Sequence, residues 1–229
     1  MKKSAVIFLC LALLAGCQAS GIRGYWNNVP LLEEDLSVSE DRFAQFAELT
    51  ASAPEKEALE AIDALFDKLC KDTVAYYIYA DWAESAYYNL LSPCRSAALY
   101  SKAVDRMITD RVLTDSDIRP SLQRREWIQY NLKGAEATVP GVVIKERTIV
   151  LVLDQGCPSC REALTSLAEK WAHSRRIAVC CGYGAVPSVP GWEYVTEKES
   201  GAVFDPRMTP IYFVVSPDGT VETPYTLVF

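Results

Sequence analysis

The chain has 229 residues, with 23 basic against 30 acidic side chains and a net charge of −7. That length suits one large or two small domains. The lack of a basic stripe to neutralise phosphates argues against nucleic acid as a partner. Eight cysteines stand out: Cys10, Cys17, Cys70, Cys94, Cys157, Cys160, Cys180 and Cys181.

Lys2 and Lys3 precede an apolar run from Ala5 to Ala15. The run is too short to span a bilayer as a helix and reads as a signal-peptide h-region. It ends in Leu14-Ala15-Gly16-Cys17, which resembles the bacterial lipobox. The resemblance implies cleavage of residues 1–16, diacylglycerol on the Cys17 thiol, and a lipid bilayer as partner. An ordinary secretory signal that happens to contain a cysteine is the competing reading. Several acyl chains bury enough methylene groups for stable anchoring. Gln18, not aspartate, follows the cysteine. By the enterobacterial sorting rule this implies a cell-envelope location on the periplasmic side of the outer membrane, in preference to the inner. Loss of Lys2 and Lys3 takes the net charge from −7 to −9. The six cysteines beyond Cys17 then lie where disulfides persist.

Residues 17–36 read as a lipidated tether, polar and aperiodic, with Gly21, Gly24, Asn27, Asn28 and Pro30. Residues 37–134 read as an all-α helical domain. Ser37 with Glu40 resembles a capping box before Phe43, Phe46 and Ala47. Pro54 opens a second helix, where Leu59, Ile62, Phe66 and Leu69 recur at helical spacing. A third runs from about Val74 to Leu91, rich in tyrosine, and Ser92-Pro93 breaks it. A fourth carries Leu99, Ala103, Met107 and Ile108; a fifth follows Asp115 and holds Leu122, Trp127 and Leu132. Short loops imply antiparallel neighbours in a bundle. The tyrosine-rich helix reads as core, with an exposed aromatic row for a partner as the alternative. Cys70 and Cys94 lie in this domain, where a stapling disulfide is one option.

Residues 135–229 change texture. Val139 to Ile144 is short and apolar, and Thr148 to Leu153 is a continuous β-branched and leucine run. The second is how a strand buried on both faces of a parallel sheet reads. A helix is expected from Cys157 to about His173, then a parallel strand from Arg176 to Cys181. Ile211–Val215, the turn Ser216-Pro217-Asp218-Gly219 and Thr220–Thr223 predict a hairpin.

Cys157-Pro158-Ser159-Cys160 follows the buried strand and opens the helix. At a helix N-terminus, free N–H groups and the dipole stabilise a thiolate. A redox-active pair, a structural disulfide and half of a zinc site are the three readings. Zinc needs two more ligands, and His173 is the chain's one histidine; it reads as a helix-end residue. No metal and no cofactor are implied. Cys180 and Cys181 end the neighbouring strand. They are candidate auxiliary thiols, with small buried hydrophobes as the alternative.

The C-x-x-C after a buried strand, followed about 50 residues later by Phe204-Asp205-Pro206-Arg207-Met208-Thr209-Pro210-Ile211-Tyr212-Phe213, resembles the thioredoxin-like family over residues 141–223. The whole chain resembles bacterial lipoproteins in which a helical domain of unknown function precedes such a domain, relatives of TlpA-type thiol-disulfide oxidoreductases. The resemblance implies an α/β thioredoxin-like fold after the all-α domain. It also implies Cys157 and Cys160 as the catalytic pair, and a cis-proline at Pro210 beside them. Thr209 would offer its backbone to substrate by strand addition. Partners would be protein thiols or disulfides, with a membrane or soluble reductant to recharge the pair.

The chain departs from the family's pattern at several points. Gly156 stands where Trp is usual, Leu151 where a buried acid lies, Asp154 three residues before Cys157, and Thr165 where a helix-kinking proline is common. The family's C-terminal helix is also not expected before Phe229. Cover for the second sheet face is therefore expected from the helical half, including Phe66, Leu69, Leu99 and Trp127, so that the halves pack as one cooperative unit. A non-redox interaction lipoprotein, using the fold as a binding module, is the rival function. For the anchor, labelled palmitate is expected to enter the wild type and not Cys17→Ala; equal labelling of the two would remove it.

Overall fold

The computed structural model of the protein describes residues 21–154, 157–181, 189–196 and 203–228. Among them no helix is long and apolar enough to cross a membrane. The signal and lipobox residues, 1–20, lie outside the described residues. The chain divides into two compact units, Met1–Ser121 and Leu122–Phe229. The division falls inside a helix and earlier than the expected boundary after residue 134.

The first unit is helical: α1 (Leu36–Ser52), α2 (Glu55–Leu69), α3 (Thr73–Ala83), α4 (Ala97–Asp110) and the start of α5 (Asp115–Gln129). Asp35, not Ser37, caps α1, accepting from the Ser37 backbone N–H at 3.0 Å. A carboxylate there also matches the positive end of the helix dipole. Asp72 and Ser96 cap α3 and α4 in the same way. α3 ends at Ala83 and continues as one π-helical turn, Glu84–Tyr88, closed by the Asn89 N–H on the Glu84 carbonyl at 3.1 Å.

The core of this unit is aromatic. Tyr76, Tyr79, Tyr87 and Tyr100 are fully buried with Phe46 and Phe66. Tyr76 donates to Asp110 at 2.9 Å, Tyr79 to the Leu31 carbonyl at 2.6 Å, and the Tyr87 and Thr50 hydroxyls lie 2.8 Å apart. Those partners let polar rings sit in a core, so the tyrosine-rich helix is core. Residues 21–35, read from composition as tether, pack on the bundle. Trp26 is 2% exposed and meets Phe46 and Tyr79 edge-on, while Lys68 Nζ donates to the Trp26 and Val29 carbonyls. Cys70 and Cys94 are free thiols, the first beside Asp110 and Arg106, the second beside Ser92 and Glu48. The staple considered for them is not formed.

The second unit carries β1 (Thr148–Asp154), α6 (Cys160–Lys170), β2 (Arg175–Cys181), β3 (Glu193–Val195), β4 (Ile211–Val215) and β5 (Val221–Leu227). The sheet order is β3-β2-β1-β4-β5. β1 pairs parallel with β2 and antiparallel with β4; β2 pairs parallel with β3, and β4 antiparallel with β5. The β4–β5 turn follows its residues. Asp218 accepts from the Thr220 N–H and hydroxyl at 3.0 and 2.8 Å, and Gly219 takes the φ of 87° that the turn requires. β3 had no signal in the sequence, being three residues long.

Thr148 to Leu153 are all fully buried, as the apolar run predicts. Ile149, Leu151 and Leu153 join Leu164 and Leu167 of α6 on one side. On the other, Phe213 meets Phe204 and Tyr225, with ring centroids 6.1 and 5.4 Å away. Residues 131–138 of the same unit line up with the β4–β5 end. The Gly134 and Val221 backbones bond at 2.9 Å, and Asn131 Nδ2 donates to the Tyr225 hydroxyl at 2.7 Å. This cover is internal to the unit. Trp127 belongs to it as well, and Phe66 instead packs edge-on to Tyr76 in the helical unit.

Asn131 is 2% exposed, has a φ of 54°, and also accepts from the Thr138 N–H at 2.7 Å. Asn131→Ala leaves that N–H unpaired and puts a β-carbon without a local polar partner in the left-handed region. The expected loss of stability is about 2–4 kcal/mol by urea unfolding. A loss below about 0.5 kcal/mol would show that this side chain does not hold the segment to β5.

Candidate functional site

β1 runs out at Asp154, and the chain re-enters the described structure at Cys157. Gly156, one of the departures from the resembled pattern, lies outside the described residues. The Cys157 N–H bonds the Asp154 carbonyl at 3.1 Å, and the Cys160 N–H bonds the Cys157 carbonyl at 3.3 Å. Helix α6 starts at Cys160, three residues later than the sequence predicts. Pro158 disfavours helical backbone at the residue before it, which keeps Cys157 out of the helix. Cys157 therefore stands just ahead of the helix, half-buried, with its Sγ 3.3 Å from Ser159 Oγ.

Cys160 is in a different environment. It is 1% exposed and sits in the cluster under α6 with Leu153, Ala163, Leu164 and Trp192. Burial pushes its thiol up to about 12; the Cys157 thiol hydrogen bond and the Cys157 and Asp154 charges add to this, against a hydrogen bond with the Asp154 backbone. At neutral pH the inner cysteine is held as a thiol.

The neighbouring strands converge on the same end of the sheet. β1–β2 pairing sets Leu153 beside Cys180 and Asp154 beside Cys181. Strand alternation puts the two thiols on opposite faces. Cys180 shares the Cys160 cluster, whereas Cys181 lies where the Asp154 and Asp205 charges reach it. Both are buried like small apolar side chains. Burial pushes Cys180 up to about 11 and, as the largest cause, Cys181 up to about 12.

The Thr209–Pro210 peptide is cis. β4 pairs Ile211 with Val152 antiparallel, so the register carried one step on sets Pro210 beside Leu153. Thr209 Oγ1 donates to the Pro206 carbonyl at 2.9 Å, and the Pro210 carbonyl accepts from the Val228 N–H at 3.2 Å. Cys157, Cys160, Thr209 and Pro210 thus gather at the carboxyl end of β1, where ligands of parallel sheets bind. Cys17 lies outside the described residues. Among the described residues no group of three or more His, Cys, Asp or Glu could hold a metal ion.

Reasoning from sequence missed two supports of the site. Asp205, 4% exposed, grips Arg207 Nε at 2.9 Å and its backbone N–H at 3.0 Å, which shapes the turn before Thr209. The Asp-Pro-Arg spacing was the available signal. Trp192 donates its Nε1–H to the Leu164 carbonyl at 3.1 Å and closes the Cys160 cluster; no local pattern marks it. Leu151 is fully buried at the position of the family's acid, and Thr165 Oγ1 donates to the Arg161 carbonyl at 3.1 Å.

No family model matches the chain, and no curated protein matches it. Among solved structures it is similar to a thioredoxin-like protein from Bacteroides caccae, with a TM-score of 0.66 and 18% identity, covering 90% of this chain and 87% of that one. At this identity the likeness establishes the fold, a helical domain followed by a thioredoxin-like α/β unit.

Cys160, Cys180 and Cys181, the raised thiols near the site, add to the pH signature of the reduced protein. Each stays protonated in the fold, while the unfolded chain ionises it near the ordinary thiol value of 9.0. Their contribution is fully present below that pH and is lost as pH rises toward 11 and 12. Stability in reductant is expected to fall through this window, with each thiol adding roughly 1.4 kcal/mol per pH unit at most. Cys160→Ala should flatten the slope by one thiol's share. A slope indifferent to Cys160, Cys180 and Cys181 substitution would mean these thiols are solvated.

Proposed function

We propose that this chain is an envelope thiol-disulfide oxidoreductase, lipid-anchored at Cys17, that exchanges disulfides with protein substrates. The observation that carries the reading is the asymmetry of the cysteine pair. Cys157 is half-buried ahead of the α6 N-terminus, and Cys160 is sealed beneath it with its thiol pushed up to about 12. A solvent-reachable attacking thiol and a reserved inner one are what a two-step exchange needs.

The Cys157 thiolate attacks one sulfur of a substrate disulfide, forming a mixed disulfide and releasing the other substrate sulfur as a thiolate. Cys160 then loses its proton, with Asp154 the near carboxylate, and attacks the Cys157 sulfur. The substrate leaves with two thiols, and its two electrons have come from the Cys157–Cys160 pair. A membrane or soluble dithiol reductant restores the pair. Pro210 and Thr209 shape the groove beside Cys157, and the Thr209 backbone is the edge for strand addition. The rival, a non-redox binding module, is favoured by Leu151, whose buried isobutyl group supplies no proton acceptor.

Alkylation at controlled pH is expected to label Cys157 far faster than Cys160, and Cys160→Ala to accumulate mixed disulfides in cells. An inert Cys157 with a reactive Cys160 would reverse the roles. A pair that resists reduction below about −300 mV would be structural, leaving the binding module.

A further inference from the structure

The helical unit holds a cavity of about 300 Å³, bounded by α1, Trp82, the π-helical turn and the loop Ser92–Cys94. α1 presents Glu40, Ala44, Ala47 and Glu48 to it at the spacing of one helix face. The hollow exists because small side chains meet there, Ala47 from α1 and Ala86 from the π turn. The π turn buries Tyr87 and Tyr88 and leaves Ser85 and Ala86 at the cavity. Such turns recur at functional sites.

The walls are aromatic and the ends are acidic. Phe43 and Trp82 have ring centroids 5.8 Å apart, and Trp82 rests on Tyr79 at 4.8 Å. Glu40 and Glu48 stand about 12 Å apart along the helix axis, one toward each end of the hollow. Neither forms an ion pair with a described residue. The Glu48 charge reaches the Cys94 thiol, which is 7% exposed and which burial and then that charge push up. Glu48 and Cys94 line the same cavity.

We infer that this cavity binds an organic cation with an apolar body, an alkyl- or arylalkylammonium group. Its apolar part lies against Phe43 and Trp82, and its ammonium meets Glu48 or Glu40. Burial of the apolar part supplies the gross affinity, and the aromatic faces and carboxylates both prefer a positive charge. A neutral guest forgoes that preference, and an anion is repelled from both ends. The site is separate from the thiol chemistry and stands whether or not Cys157 is redox-active.

Three soluble ligands with one phenylalkyl body and different charge test it on the full chain: 2-phenylethylamine, 2-phenylethanol and 3-phenylpropionate. By titration calorimetry at low salt, the amine is expected to bind roughly fivefold tighter than the alcohol, and the carboxylate weakest. Glu40→Gln with Glu48→Gln, surface changes that leave the fold intact, should reduce the preference to the aromatic share and leave alcohol binding unchanged. Ala86→Leu should fill the hollow and weaken all three. Equal affinity for amine and alcohol in the wild type overturns the inference. So does no amine binding at about 10 mM, or a charge preference undiminished by loss of both glutamates.

Discussion

The second unit hangs on one strand. β1 is buried on both faces along Thr148 to Leu153, so it must sit in the middle of a sheet with cover above and below. α6 supplies one layer, and Phe204, Tyr225 and the segment near Asn131 supply the other. Because β1 is central, its carboxyl end is where parallel β2 stops and antiparallel β4 starts. The C-x-x-C turn, the end of β2 and the cis-proline are therefore delivered to one edge by strand pairing, without any need for a long-range polar contact between them.

The same burial that stabilises the sheet differentiates the two cysteines of the C-x-x-C turn. Three residues of sequence separate a half-buried Cys157 from a sealed Cys160. Desolvation is the largest influence on the inner thiol. It follows from packing against Leu153, Leu164 and Trp192 rather than from any local motif. The distinction between the two thiols is thereby tied to the integrity of the core: loosening the cluster around Trp192 would solvate Cys160 and remove it.

The helical unit uses burial differently. Tyr76, Tyr79 and Tyr87 fill the core with their hydroxyls partnered, by Asp110, the Leu31 carbonyl and Thr50 in turn. Where that packing is interrupted, by alanines on α1 and by the π turn, a hollow with aromatic walls and acidic ends remains. The two proposed chemistries therefore fall in different units, sulfur exchange at a strand end and charge-selective packing between helices.

Several features of the fold and site were legible in the residues alone. The continuous run at Thr148–Leu153 announced a doubly buried strand, Ser216–Thr220 announced a hairpin, and Cys157 to Cys160 with Thr209-Pro210 announced a thioredoxin-like domain, because each rests on local chemistry and short spacing. Helix existence was legible for the same reason, while starts moved by two or three residues where Asp35 or Pro158 outweighed the general pattern. Other features depended on contacts far apart in sequence: the packing of residues 21–35 onto α2, the Asn131–Tyr225 bond across 94 residues, and the choice of which β2 cysteine shares a face with Cys160. The sequence by itself determined where the long strands and helices lie, β3 and the exact helix starts excepted, and which atoms are nucleophilic. Only the tertiary structure decided which of those atoms are desolvated, because burial is a property of everything packed around a residue and not of its neighbours in the chain.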